Sequence, residues 1–134
     1  MRERLVDLNY WNDERGTLGV YEQNYKELHK IKRVFWITVN MEGQIRGEHA
    51  HKSTSQLMIC ISGKMEVQCY DLNGFCNKYI LEQSGKALLV PPMIWSMQKY
   101  VTSTSTLMVM CDQIFDENEY IRDKADFFSQ NQLS

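Results

Sequence analysis

Proline is scarce in this chain, with two in 134 residues, both in the pair Pro91-Pro92, and glycine contributes only seven. A Pro-rich linker, a collagen-type repeat and a low-complexity tract are excluded by that composition. Long apolar runs are missing too: stretches such as Ala87 to Met93 fall far short of the ~20 residues needed to cross a bilayer as a helix. The start, MRERLVDLNYW, carries charge but no apolar segment of the secretory kind behind it, so a cytoplasmic location is expected. No charge of one sign prevails, 15 Lys and Arg standing against 17 Asp and Glu for a net −2. Nucleic acid and membrane surfaces are therefore not expected partners, and an anionic ligand must be met by a local cluster of basic groups. C-x-x-C pairs are absent among Cys60, Cys69, Cys76 and Cys111, which argues for reduced thiols packed as small hydrophobes.

The 43% of hydrophobic residues suffice for one compact core, and a single domain over residues 1–134 is expected. From residue 33 onward the chain alternates short runs rich in β-branched and aromatic residues with turn chemistry. Residues 33–40, 56–61, 65–71, 76–81, 87–90 and 106–111 are strand candidates. Ser62-Gly63-Lys64, Leu72-Asn73-Gly74 and Ser84-Gly85 supply the tight connections. Further β-prone pieces, residues 4–8 and 17–22, flank a turn at Asp13-Glu14-Arg15-Gly16. The spacing is that of an antiparallel sandwich or barrel. Only the C-terminus reads as helix, with Asp116 as N-cap, Glu119 completing a capping box, and Tyr120, Phe127 and Phe128 on an apolar stripe interrupted by Lys124.

Three histidines occur. His29, in the polar run YKELHKIKR, reads as a surface residue. His49 and His51, in RGEHAHK, are two apart, so on a strand both imidazoles face the same way. The bland alternative is a pair of satisfied or solvent-exposed histidines.

Gly47, His49, His51, Gly63, Gly85 and Pro91 resemble the cupin pattern over residues 45–97. The resemblance implies an all-β, cupin-type jelly-roll barrel with a short C-terminal helix. The pattern's metal ligands are incomplete: Gln56 stands near its usual Glu, and Trp95 falls where its last His would lie. Two imidazoles and a carboxamide leave a divalent ion short of ligands and of anionic donors, so no metal and no cofactor are expected. The strings IKRVFWI, RGEHAHK, VPPMIW and FDENEYIRD, with Gln56 and Gly63 between, resemble the cupin sugar 3,4-ketoisomerases from residue 13 to Phe127. That family acts on 4-keto-6-deoxyhexoses usually carried by dTDP, in deoxy- or amino-sugar biosynthesis of the kind that feeds lipopolysaccharide O-antigen.

The resemblance implies movement of a ketone from C4 to C3 through an enediol. A base takes the C3 proton while the C4 oxygen receives a proton or a strong hydrogen bond. His51 is expected as the carbon base and His49 as the oxygen-side partner, an order the sequence alone leaves nearly even. Arg15, Arg33 and Arg46 are candidates for the diphosphate. Arg46 reads equally well as a structural residue leading into the histidine strand. Gln56 is a candidate for the pocket wall, and Trp36, Trp95 and Tyr100 are candidates for stacking on the base or lining the pocket, with the core as the alternative place for an aromatic on a strand. Family members commonly carry tyrosines where Phe35 and Trp36 stand here, so water, Tyr21 or a supporting residue would have to replace a missing hydroxyl. A homodimer with exchanged N-terminal strands is the expected assembly. A sugar 3,5-epimerase, a non-catalytic nucleotide-sugar binder and a metal-dependent oxygenase-type cupin are the rival readings. Arg15-Gly16 leans toward a galacto-configured product by resemblance.

Overall fold

The computed structural model describes residues 1–22 and 25–133. Its elements are β1 (Arg4–Asp7), β2 (Asn9–Asp13), β3 (Gly16–Val20), β4 (Arg33–Thr38), β5 (Gln44–His51), β6 (Gln56–Ser62), β7 (Lys64–Tyr70), β8 (Cys76–Glu82), β9 (Lys86–Val90), β10 (Trp95–Tyr100), β11 (Thr106–Cys111), β12 (Tyr120–Ile121) and α1 (Lys124–Ser129). Short 3-10 turns precede β12 and follow α1. Two five-stranded antiparallel sheets, β1-β9-β6-β11-β4 and β12-β5-β10-β7-β8, face each other in the expected barrel, and β2 and β3 form a separate hairpin.

Alternation builds the interior. In β11, Leu107, Val109 and Cys111 are buried while Met108 and Met110 face the other way. In β7 Met65, Val67 and Cys69 point inward. These side chains join Met58, Leu81, Leu88 and Tyr100 in one core made by both sheets. A second cluster, with Val6, Leu28, Leu57 and Leu89, covers the outer face of the first sheet beneath Tyr21 and Tyr25. A third, with Ala50, Trp95, Ile121 and Phe127, lies under α1 on the outer face of the second sheet.

The first residues are tied in by polar contacts. The Glu3 side chain is fully buried and accepts hydrogen bonds from Tyr79 Oη at 2.6 Å and Asn77 Nδ2 at 3.0 Å. At the other root of the hairpin, Arg4 pairs with Glu27 at 2.7 Å and Tyr21 Oη donates to the Leu28 carbonyl at 3.4 Å.

The C-terminal helix starts later than its sequence suggests. Asp116 caps only a 3-10 turn, accepting from the Asn118 N–H, and the helix is capped by Asp123. Glu119 makes no capping box because its carboxylate is engaged with His51 and Thr54. Two strands missing from the sequence reading, β10 and the first half of β5, carry polar residues inward, which erases the apolar alternation. Cys60, Cys69 and Cys111 are buried free thiols and Cys76 is exposed. No helix among the described residues is long and apolar enough to cross a membrane.

Candidate active site

Strand β5 changes phase once. Ser96 pairs with His49 and Met97 with Gly47, so Glu48 is an extra residue without a partner across the ladder. Gly47 and Glu48 both have positive φ, 88° and 60°, and a Cβ on Gly47 would lie 2.7 Å from Gln98 Oε1. The positive φ favours glycine there, and a Cβ would also have to displace the end of the Gln98 side chain. The bulge places Arg46, opposite Gln98, on the same inward side as His49 and His51, although alternation by two would put it on the other.

Arg46 and His49 border a cavity of about 390 Å³ walled also by Phe35, Gln56, Gln98 and Tyr120, among others, and His51 lies buried behind its wall. The His49 and His51 rings are 5.0 Å apart and nearly perpendicular. Tyr120, paired with His51 across β12, sets its ring 4.3 Å from His51 and 5.1 Å from His49. Arg33 Nη2 donates to the Tyr120 hydroxyl at 3.4 Å and approaches Cys111 Sγ at 3.5 Å. The Arg122 guanidinium lies 4.4 Å from the centre of the Tyr120 ring and pairs with Glu117 at 2.6 Å.

Behind His51 stands Glu119, a carboxylate the sequence reading had assigned to a helix cap. His51 Nδ1 is hydrogen-bonded to Glu119 Oε1. The same oxygen accepts from Thr54 Oγ1 at 2.7 Å, and Oε2 accepts from the Ser53 N–H at 3.2 Å. Burial opposes the charge on Glu119, but the bonds from His51 and Thr54 prevail and hold it below the usual carboxylate range. An ionised carboxylate only accepts, so Nδ1 carries the proton and the Nε2 lone pair is free. Burial lowers the His51 pKa, against the pull of Glu119. Burial, with His51 nearby, lowers that of His49 to about 4. His49 Nδ1 and His51 Nε2 are buried and have no hydrogen-bond partner among the described residues. Of the two residues, His49 borders the cavity, and an unpartnered polar atom beside such a space is placed for a ligand.

Other expected site residues are placed differently. Gln56 is buried in the cavity wall, with its amide 3.8 Å from Cys111 Sγ. Trp36 borders the cavity on edge strand β4 but is 70% exposed. Trp95 is not in the cavity: it alternates outward from Ser96 and packs with Phe127 under α1. Tyr100 is buried in the core with its hydroxyl unpartnered. Tyr21 belongs to the outer cluster and replaces no hydroxyl in the cavity. Arg15, at the hairpin tip, has an 84% exposed side chain, pairs with Asp13 and does not reach the cavity. His29 is exposed. Among the described residues no group of three or more His, Cys, Asp or Glu side chains is placed to hold a metal ion. His49 and the Gln56 carboxamide bring no anionic donor to the cavity wall, so the donor set does not suit the metal that the cupin pattern accommodates.

A jelly-roll barrel with paired imidazoles in a polar cavity defines a cupin-type sugar isomerase. The sequence profile of the FdtA family (WxcM-like, C-terminal) matches residues 1–132, and the chain belongs to that family. It is 30% identical over 127 residues to the TDP-4-oxo-6-deoxy-alpha-D-glucose-3,4-oxoisomerase of Aneurinibacillus thermoaerophilus, covering 95% of this chain and 91% of that one. A 3,4-ketoisomerase from Helicobacter canadensis superposes with a TM-score of 0.86 at 28% identity, covering 98% of each chain. The sugar 3,4-ketoisomerase QdtA from Thermoanaerobacterium thermosaccharolyticum, solved in complex with TDP, shares the fold with a TM-score of 0.87 at 24% identity, covering 98% of this chain and 96% of that one.

Proposed function

We propose that the protein converts dTDP-4-keto-6-deoxy-D-glucose to a dTDP-3-keto-6-deoxyhexose through an enediol, in the cytoplasm, for deoxy- or amino-sugar biosynthesis. The observation that carries this reading is the pair of imidazoles 5.0 Å apart, one in the cavity wall and one backed by a buried carboxylate. His51 takes the C3 proton on its free Nε2, and the imidazolium formed is stabilised by Glu119. The same nitrogen returns the proton to the neighbouring C4. His49 meets the C3 and C4 oxygens as a hydrogen-bond partner. Arg46 on the wall, with Arg33 near Tyr120, is the local positive charge that an anionic nucleotide sugar needs in a chain of net −2. Gln56 and Trp36 border the same space.

The assembly is a homodimer with N-terminal strands exchanged. Its supports are the hairpin β2–β3, which pairs with no strand of either sheet, the free edge of β4, and exposed apolar side chains on both, Trp11 and Leu18 on one and Val34 and Trp36 on the other. A monomeric mass at micromolar concentration would contradict it.

The decisive experiment is NMR of the sugar formed from dTDP-4-keto-6-deoxyglucose, trapped by an aminotransferase acting at C3. A 3-amino product is expected. Deuterium entering C5 from D2O would instead indicate a 3,5-epimerase, and binding without turnover a carrier.

A further inference from the structure

The isomerisation moves a proton on oxygen as well as one on carbon, and the cavity wall offers one side-chain hydroxyl among the described residues, that of Tyr120. Burial holds His49 neutral, so its one ring N–H can donate a hydrogen bond to a substrate oxygen but is a far weaker acid than a phenol. The Tyr120 ring touches both imidazoles. Its oxygen already accepts a hydrogen bond from Arg33, and Arg122 lies against its ring. Negative charge that develops on that oxygen is therefore met by fixed cations. Phe35, which stands where the resemblance leads one to expect a tyrosine, lines the same cavity and offers no hydroxyl.

We propose that Tyr120 is the oxygen-side catalytic acid and base, an inference that rests on the ketoisomerase reading. As His51 removes the C3 proton, the C–H electron pair becomes the C3–C4 double bond. The carbonyl pair moves to the C4 oxygen, which takes the Tyr120 proton. In the second half the phenolate removes the proton from the C3 hydroxyl, the C3 carbonyl forms, and C4 takes its proton from His51. Both residues finish as they began, with no oxidant or reductant consumed.

The ionisable groups facing Tyr120 are His49 and His51 from β5, Arg33 from β4 with Cys111 of β11 beside it, and Arg122 with its partner Glu117. The test uses the full chain and dTDP-4-keto-6-deoxyglucose. Tyr120→Phe is expected to lower kcat about 100-fold or more and to bind dTDP as the wild type does. Placing 3,5-difluorotyrosine at position 120 returns a hydroxyl on a ring of nearly the same shape, and is expected to recover most of that loss. Wild-type turnover by Tyr120→Phe, or no recovery with the fluorinated residue, overturns the assignment while the ketoisomerase reading stands. Absence of turnover by the wild-type protein overturns the reading and the assignment together.

Discussion

Replacing Glu119 by glutamine removes the charge behind His51 and reverses the position of a proton. The glutamine oxygen must take the place of Oε2, because an NH2 group there would meet the Ser53 N–H. The NH2 group then occupies the Oε1 position and points at His51 Nδ1, with Thr54 Oγ1 turned to accept. Nδ1 can accept that bond only by giving up its proton, which passes to Nε2 and blocks the nitrogen that takes the substrate proton. The lost interaction is a hydrogen bond to a charged group, worth about 1.5–3 kcal/mol. At about 1.36 kcal/mol per decade, kcat is expected to fall about 10- to 150-fold. KM should change little, because the carboxylate is 8% exposed and stands behind the imidazole. Glu119 favours protonated His51, so its removal lowers the imidazole pKa further and moves the acid limb of the rate profile to lower pH. Steady-state kinetics from acid to neutral pH with a thermal melt would check both effects. A folded Glu119→Gln enzyme with wild-type kcat and an unmoved acid limb would refute the dyad.

Other outcomes follow from the same geometry. His49 titrates near 4 when folded and at 6.5 when unfolded, so the unfolded chain holds the extra proton between those values. The stabilisation is complete above about pH 6.5 and lost as pH falls toward 4, in all about 3 kcal/mol. Urea titrations at both ends of that window should show a weaker pH dependence for His49→Gln, and an equal one would disprove the assignment. Gly47→Ala should lower stability by about 1–3 kcal/mol, because its φ of 88° is strained for a side chain and its Cβ meets Gln98; an unchanged melting temperature would rule this out. Trp95→Ala should cost about 3–5 kcal/mol of stability while sparing dTDP affinity. Weaker dTDP binding at unchanged stability would restore its role as a stacking residue.

The barrel was legible because strands such as β7 and β11 bury alternate residues, and turns such as Ser62-Gly63 interrupt them. The His49–His51 pair was legible for the same reason, since two residues along a strand share a face. Arg46 is the instructive case: its phase depends on Glu48 lying outside the ladder, and a bulge leaves little trace in one sequence beyond a glycine. Glu119 was hidden more deeply. Its spacing from Asp116 mimics a capping box, and only the return of β12 beside β5 brings its carboxylate 68 residues along the chain to His51. Trp95 failed as a pocket residue because one step of alternation separates it from Ser96 and turns it toward Phe127.

The hairpin β2–β3 is moored at both roots, by the buried Glu3 on one side and by Leu28 with the Arg4–Glu27 pair on the other. Between those posts, the Leu8 N–H bond to Gly85 and the Tyr10 hydroxyl bond to Gln83 fasten it to the rim of the barrel. The β8–β9 corner thus carries the hairpin, and none of these fastenings involves a residue of the cavity that His49 borders.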